Sequence, residues 1–171
     1  MNLRKLVFLA IMVAASVVLS IVESLISVAI FIIPGVKLGL ANILTLVILY
    51  IYTEKDAAIV VFIRIFLVGL VYSGLFQPTF WMSLAGGVFA FVAMVLIKRL
   101  TSLSLISVSV AGSLLHMLGQ ILMAMLVLST ETLIFYLPYM LLIAVPTGIF
   151  TGIIARKLID VFHSQLSKQE E

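Results

Sequence analysis

The chain has 171 residues, of which 64% are hydrophobic and 10% charged, with a formal net charge of +3. A soluble domain carries roughly a quarter charged residues, so a mean hydropathy of +1.38 belongs to a chain solvated by lipid. The basic pI near 9.3 does not make a nucleic-acid binder, because basic residues at the ends of apolar runs are what membrane topology requires. With no cysteine, thiolate metal sites and thioether-linked cofactors are excluded.

Six apolar runs are read along the chain, at 6–33, 40–52, 57–72, 80–97, 105–128 and 138–159. A crossing helix needs about 20 apolar residues for a hydrocarbon core of about 30 Å. The expected fold is therefore all-α: a polytopic bundle of six transmembrane helices forming one domain over residues 1–163, with a short polar, frayed tail at 164–171. No internal repeat or low-complexity tract interrupts it.

The first run opens on Arg4 and Lys5, and Ala14-Ala15-Ser16 within it imitates a secretory cleavage site. The apolar stretch continues to Ile33, longer than a signal core of roughly 7–15 residues, which predicts a retained helix. Ser16, Ser20, Glu23, Ser24 and Ser27 fall at offsets of 0, 4, 7, 8 and 11, one narrow stripe at 100° per residue. Ala10 and Ala14 lie on a face turned about a third of a revolution from that stripe.

The second run is short, and begins within the preceding loop or stops below full thickness. Thr53-Glu54-Lys55-Asp56 then reads as a turn and a helix start, with Thr53 capping and Asp56 in the first turn. In the third run Arg64 sits roughly 12 Å from the helix start, while Glu23 lies about 26 Å along the first helix. A charge at such depth costs several kcal/mol and needs a carboxylate, a carbonyl cluster or a water-filled cavity. Two readings of Arg64 stand: a structural ion pair, with Glu23 if the arginine snorkels outward, or a charge that faces a ligand.

The fourth run ends on Lys98 and Arg99. The fifth repeats the polar spacing, with Ser109, Ser113, His116 and Gln120 at offsets of 0, 4, 7 and 11. Lipid cannot satisfy such stripes, so both must face protein or water. In the last run, Pro138 and Pro146 are positions for a bend, and Gly148 and Gly152 repeat the small-residue spacing that lets helices approach closely. Those small faces pack within the bundle or dock another membrane subunit.

Eight of the 10 Lys and Arg residues fall on one side of the threaded chain. The positive-inside rule makes that side cytoplasmic and places both termini there. The exceptions are Arg64 and Lys37, the latter in the first outer loop. The outer loops at 34–39, 73–79 and 129–137 carry Pro34, Gly35, Gly39, Gly74, Gln77 and Pro78, residues that favour turns. Nearby Tyr72, Phe76, Phe80, Trp81, Phe135, Tyr136 and Tyr139 form an interfacial belt or a lid over a pocket.

Several chemistries are missing. There is no Walker-type glycine loop, no nucleophile elbow, no Ser-His-Asp ordering and no HExxH. Asp56 and Asp160 are the sole aspartates, so no Asp-rich pair of motifs holds Mg²⁺ and a diphosphate. His116 has no second His, Asp or Cys at ligand spacing, which argues against a metal site. No cofactor is expected, and the chain is not expected to be an enzyme.

The segment Pro34-Gly35-Val36-Lys37-Leu38-Gly39-Leu40-Ala41-Asn42, with a small-residue first helix and six short-looped spans, resembles the Gx transporter family. That family is grouped with the substrate-binding S components of energy-coupling factor (ECF) transporters and is also labelled heptaprenyl diphosphate synthase component I. The resemblance covers nearly the whole chain. It implies a six-helix protein of the bacterial cytoplasmic membrane that captures a vitamin-like solute from outside. Such a protein works with a transmembrane T subunit and two cytoplasmic ATPases. An alanine motif for the T subunit maps onto Ala10 and Ala14. The solute region maps onto Lys37, Asn42 and Gln77, with Glu23, Arg64, His116 and Gln120 beneath. Under the synthase label, a chain without paired Asp-rich motifs is an accessory membrane subunit, for polyprenyl or quinone synthesis or a flavin-based electron-transfer assembly. A plain scaffold is the third reading.

Overall fold

A computed structural model describes residues 3–30 and 37–167. The expectations for Ile33, for Pro34 to Val36 and for the last four tail residues lie outside the described residues. Six helices follow one another: α1 (Leu3–Ile30), α2 (Asn42–Ile51), α3 (Glu54–Val68), α4 (Pro78–Leu100), α5 (Leu105–Leu128) and α6 (Leu137–Ser167). A π turn, Gly69–Ser73, prolongs α3, and a 3₁₀ turn, Glu131–Tyr136, leads into α6. No strand occurs among the described residues. The polar residues 164–167, expected to fray, continue α6, which also runs unbroken through Pro146.

Among the described residues, five of the helical segments are long and apolar enough to cross a membrane. The second is not. Its 10 residues span about 15 Å, half a bilayer core. Its sequence, Asn-Ile-Leu-Thr-Leu-Val-Ile-Leu-Tyr-Ile, is apolar on every side, the pattern of a helix surrounded by protein. The eight residues from Asn42 to Leu49 are all buried. Helix α2 packs against α3, α6, α4, α5 and α1, so it forms the centre of the bundle. Helix α5 lies between α4 and α6, while α1 leans mainly on α3 at the edge.

The basic residues of the helix ends gather at one end. Lys5 Nζ lies 2.7 Å from Asp56 Oδ2, and Arg99 pairs with Glu54. Lys98 Nζ donates to the Leu49 carbonyl at the foot of α2 and sits over the Tyr50 ring. Thr53 and Asp56 cap α3 reciprocally: the Asp56 N–H donates to Thr53 Oγ1 and the Thr53 N–H to Asp56 Oδ2. Phe8, Tyr52 and Phe162 stack there too, which brings the start of α1 and the end of α6 to that end.

Among the described residues three apolar clusters fill the bundle, the smallest being Val61, Ile65 and Phe80 between α3 and α4. One of the two larger clusters surrounds the body of α2, with Leu46, Ile48, Met94, Val108 and Ala155. The other, with Leu38, Met82, Met117, Ile121 and Met140, lies between α4, α5 and α6. Gly148 and Gly152 serve packing inside the bundle: a Cβ on Gly148 would stand 2.6 Å from Val110 Cα, and one on Gly152 3.0 Å from Ile106 Cα. Of the two readings of that small face, contact with α5 is the one observed.

Candidate binding site

The chain preceding α2, residues 37–41, is irregular backbone, and Lys37, Leu38, Gly39 and Ala41 are buried. Irregular backbone at membrane depth is tolerated only when protein satisfies its polar groups. Glu23 of α1 does so. Its Oε1 accepts from the N–H of Gly39 and, at 3.0 Å, of Leu40, and its Oε2 faces the Ala41 N–H at 3.5 Å. The carboxylate therefore caps the N-terminus of α2 from another helix, where the helix dipole also favours negative charge. Gly39 is at φ +88°, a left-handed conformation that favours glycine. From the far side, Gln120 Oε1 accepts the Lys37 N–H at 3.1 Å.

The two polar stripes both turn inward. Ser16, Ser20, Glu23, Ser24 and Ser27 of α1 are buried, as are Ser109, Ser113, His116 and Gln120 of α5. Parts of each stripe have local partners. Ser16 and Ser24 bond back to carbonyls of their own helix, and Ser109 shares a hydrogen bond with Thr151 of α6 at 2.8 Å. Ser113 lies against Gly148 of α6, while Ser20, Glu23, His116 and Gln120 converge beside the entry of α2.

Arg64, 5% exposed, reaches that place from α3, with Nη2 3.4 Å from Asn42 Oδ1. It makes no direct salt bridge with Glu23 among the described residues; the ion pairs there are Lys5 with Asp56 and Arg99 with Glu54. Instead the two charges engage opposite ends of one tight turn, Gly39 to Asn42, which is closed by the Asn42 N–H donating to the Gly39 carbonyl at 2.9 Å: Glu23 takes its first amides and Arg64 meets the Asn42 side chain.

Around this junction is a cavity of about 20 Å³, walled by Glu23, Lys37, Asn42, Arg64 and His116, with Ser20 and Ser83 beside them. That is room for one or two water molecules. Pockets that take drug-sized ligands are clefts of about 300–1,000 Å³. Five of the seven residues expected at a solute site thus line one cavity. Gln120 is not among its walls but holds Lys37 in place. Gln77 stands apart: it is exposed at the start of α4, where its side chain folds beneath Gly74. None of the outer-loop aromatics lines the cavity; Phe76, Phe80 and Trp81 instead pack on one another.

Three contributors escape a reading by polar residue type. The backbone amides of Gly39 to Ala41 carry no side-chain signal. Gly86 lets α5 come close to α4, since a Cβ there would meet Gln120 Cγ at 2.7 Å and the His116 carbonyl at 3.0 Å. Its neighbour Gly87 accommodates Ile65, whose Cδ1 would lie 2.7 Å from an added Cβ. The Gly86-Gly87 pair within an apolar run, three and four residues after Ser83, was the available signal.

Ala10 and Ala14 lie on the exposed face of α1 with Val7, Ile11 and Val18. No curated protein and no solved structure matches this chain. A family model described as heptaprenyl diphosphate synthase component I matches residues 12–158, and the chain belongs to that family.

Proposed function

We propose that this chain is the substrate-binding S component of an energy-coupling factor importer. On this reading it crosses the bacterial cytoplasmic membrane six times, the α2 crossing being completed by residues 37–41, and both termini are cytoplasmic. It takes a small vitamin-like solute from outside into the cavity between Glu23, Lys37, Asn42, Arg64 and His116. A T subunit docks on the Ala10 and Ala14 face, and two cytoplasmic ATPases supply the energy. The carrying observation is that polar side chains from α1, α2, α3 and α5 meet around one cavity at membrane depth. Membrane-buried ionisable groups are expensive and mark solute or ion pathways. Because the cavity holds one or two waters, capture requires residues 37–41 to swing outward, which releases their hydrogen bonds to Glu23 and Gln120 and the packing of Leu38.

The family's description favours a second reading, a membrane subunit of a prenyl diphosphate synthase. In that role the chain is non-catalytic. Asp56 is engaged with Lys5 and Thr53, Asp160 is exposed on α6, and no acidic pair is available for a Mg²⁺-diphosphate site among the described residues.

Purification of the tagged chain in mild detergent, with identification of its partners, separates the two. Recovery of a T subunit with ATPases supports the importer. Recovery of a soluble prenyl synthase subunit and no ATPases overturns it.

A further inference from the structure

The cavity wall is rich in hydrogen-bond donors and short of acceptors. Arg64 Nη1 and Asn42 Nδ2 have no partner among the described residues, and the His116 imidazole, a donor at one ring nitrogen and an acceptor at the other, stands on the same wall. Lys37, also buried, contributes a second cation to the same wall. The single carboxylate there, Glu23, already has both oxygens directed at the backbone of Gly39, Leu40 and Ala41. Two cations against one carboxylate leave one positive charge, and an unpaired buried charge is among the costliest features a protein carries.

Resting on the importer reading of this cavity, we propose that it is an oxyanion site, which takes the carboxylate or phosphate head of the solute on the Arg64 guanidinium and the Asn42 amide. An oxyanion supplies acceptors to the unpartnered donors and closes the charge balance in one step. A neutral polyol bonds the donors but leaves the charge. A cation adds to it. A metal ion lacks ligands, because the one carboxylate is committed to α2. Guanidinium suits the task, as its planar fork receives two oxygens of one carboxylate or phosphate. The volume admits a carboxylate-sized head; a phosphate displaces residues 37–41 slightly outward.

The test is thermal unfolding of the purified chain in phosphatidylcholine nanodiscs, with sodium acetate or sodium phosphate against sodium chloride at equal ionic strength. In the wild type, either oxyanion at ten times its half-saturating concentration is expected to raise the Tm by about 3 °C. Arg64→Met removes the charge at similar length and, since an unpaired buried charge is removed with it, is expected to melt no lower than the wild type in chloride. It loses the oxyanion response. Arg64→Lys, which keeps the charge and loses the fork, responds at about tenfold higher concentration. A wild type that responds to neither oxyanion, or an Arg64→Met or Arg64→Lys chain that responds as the wild type does, overturns the proposal. If Arg64→Met does not fold, the Arg64→Lys titration decides. Repeating the series with phosphatidylglycerol in the discs identifies the source: a Tm rise that needs Arg64 and abolishes the acetate response assigns the head to a lipid, and an unchanged acetate response assigns it to a free solute. An oxyanion response without ATPase partners removes the importer alone. ATPase partners with a retained neutral solute remove the oxyanion site alone.

Discussion

Arg64 on α3 touches Asn42 at the first turn of α2, Nη2 to Oδ1 at 3.4 Å, and through that turn it is linked to Glu23 on α1. The two opposite charges that the sequence places in the membrane are thus joined by a short stretch of backbone, not by each other. Glu23 holds the amides before α2, and Arg64 holds the first side chain within it. Anything that moves this stretch alters the surroundings of both charges together. That coupling is the physical reason for regarding residues 37–41 as a gate over the cavity.

Replacing Glu23 by Ala leaves the buried N–H groups of Gly39 and Leu40 unpaired. Each such loss costs about 1–3 kcal/mol, so Glu23→Ala is expected to lower stability by roughly 3 kcal/mol in denaturant unfolding. Glu23→Gln keeps an acceptor oxygen and is expected to lose less. Hydrogen exchange at residues 39–41 supplies the local readout. Faster exchange there, with the middle of α4 unchanged, is the expected pattern. A Glu23→Ala chain with wild-type stability and exchange shows that the cap contributes nothing.

Gly148→Ala places a methyl group against the backbone of Val110, which cannot rotate away. Overpacking of this kind costs about 1–3 kcal/mol, read as a lower thermal midpoint. Gly86→Ala presses on Gln120 and His116 instead. It is expected to lower stability by a similar amount and also to weaken solute retention, because it spreads α4 from α5 beside the cavity. Equal retention in the two variants would remove Gly86 from the site.

The faces around Ala10 and Ala14 behave differently. Both residues are exposed, so Ala10→Trp and Ala14→Trp are expected to change stability by no more than about 0.5 kcal/mol. On the importer reading they leave solute capture intact and abolish co-purification of the T subunit and ATP-dependent uptake. Uptake unchanged in both variants contradicts docking at this face.

Much of the fold was legible in the residues. The apolar runs locate the helix starts to within a few residues, although α6 continues eight residues past the end of its run, and Thr53 with Asp56 announces the start of α3 by a reciprocal cap that is observed. The inward direction of both polar stripes follows from spacing alone, because lipid offers Ser, Glu, His and Gln no partners. The half-length of α2 was harder to read. Leu38 and Leu40 are as apolar as the helix they precede, and it is Gly39 at positive φ, with a carboxylate from α1, that keeps residues 37–41 out of the helix. A long-range cap of that kind has no local sequence mark. The same holds for Gln77: a polar residue in an outer loop carries no record of its distance from the cavity, and the folding of its side chain under Gly74 placed it elsewhere.

The absence of native cysteine allows a direct test of whether the cavity opens. Ser20 and Ser83 both line it, so single Ser20→Cys and Ser83→Cys chains can be exposed, in intact cells and in inverted vesicles, to a membrane-impermeant thiol reagent. Slow labelling of both positions from outside the cell, and none from the cytoplasmic face, is the result expected of a capture site gated by residues 37–41. No labelling from outside under conditions that modify an exposed control such as Ser129→Cys, or labelling from the cytoplasmic face alone, contradicts it.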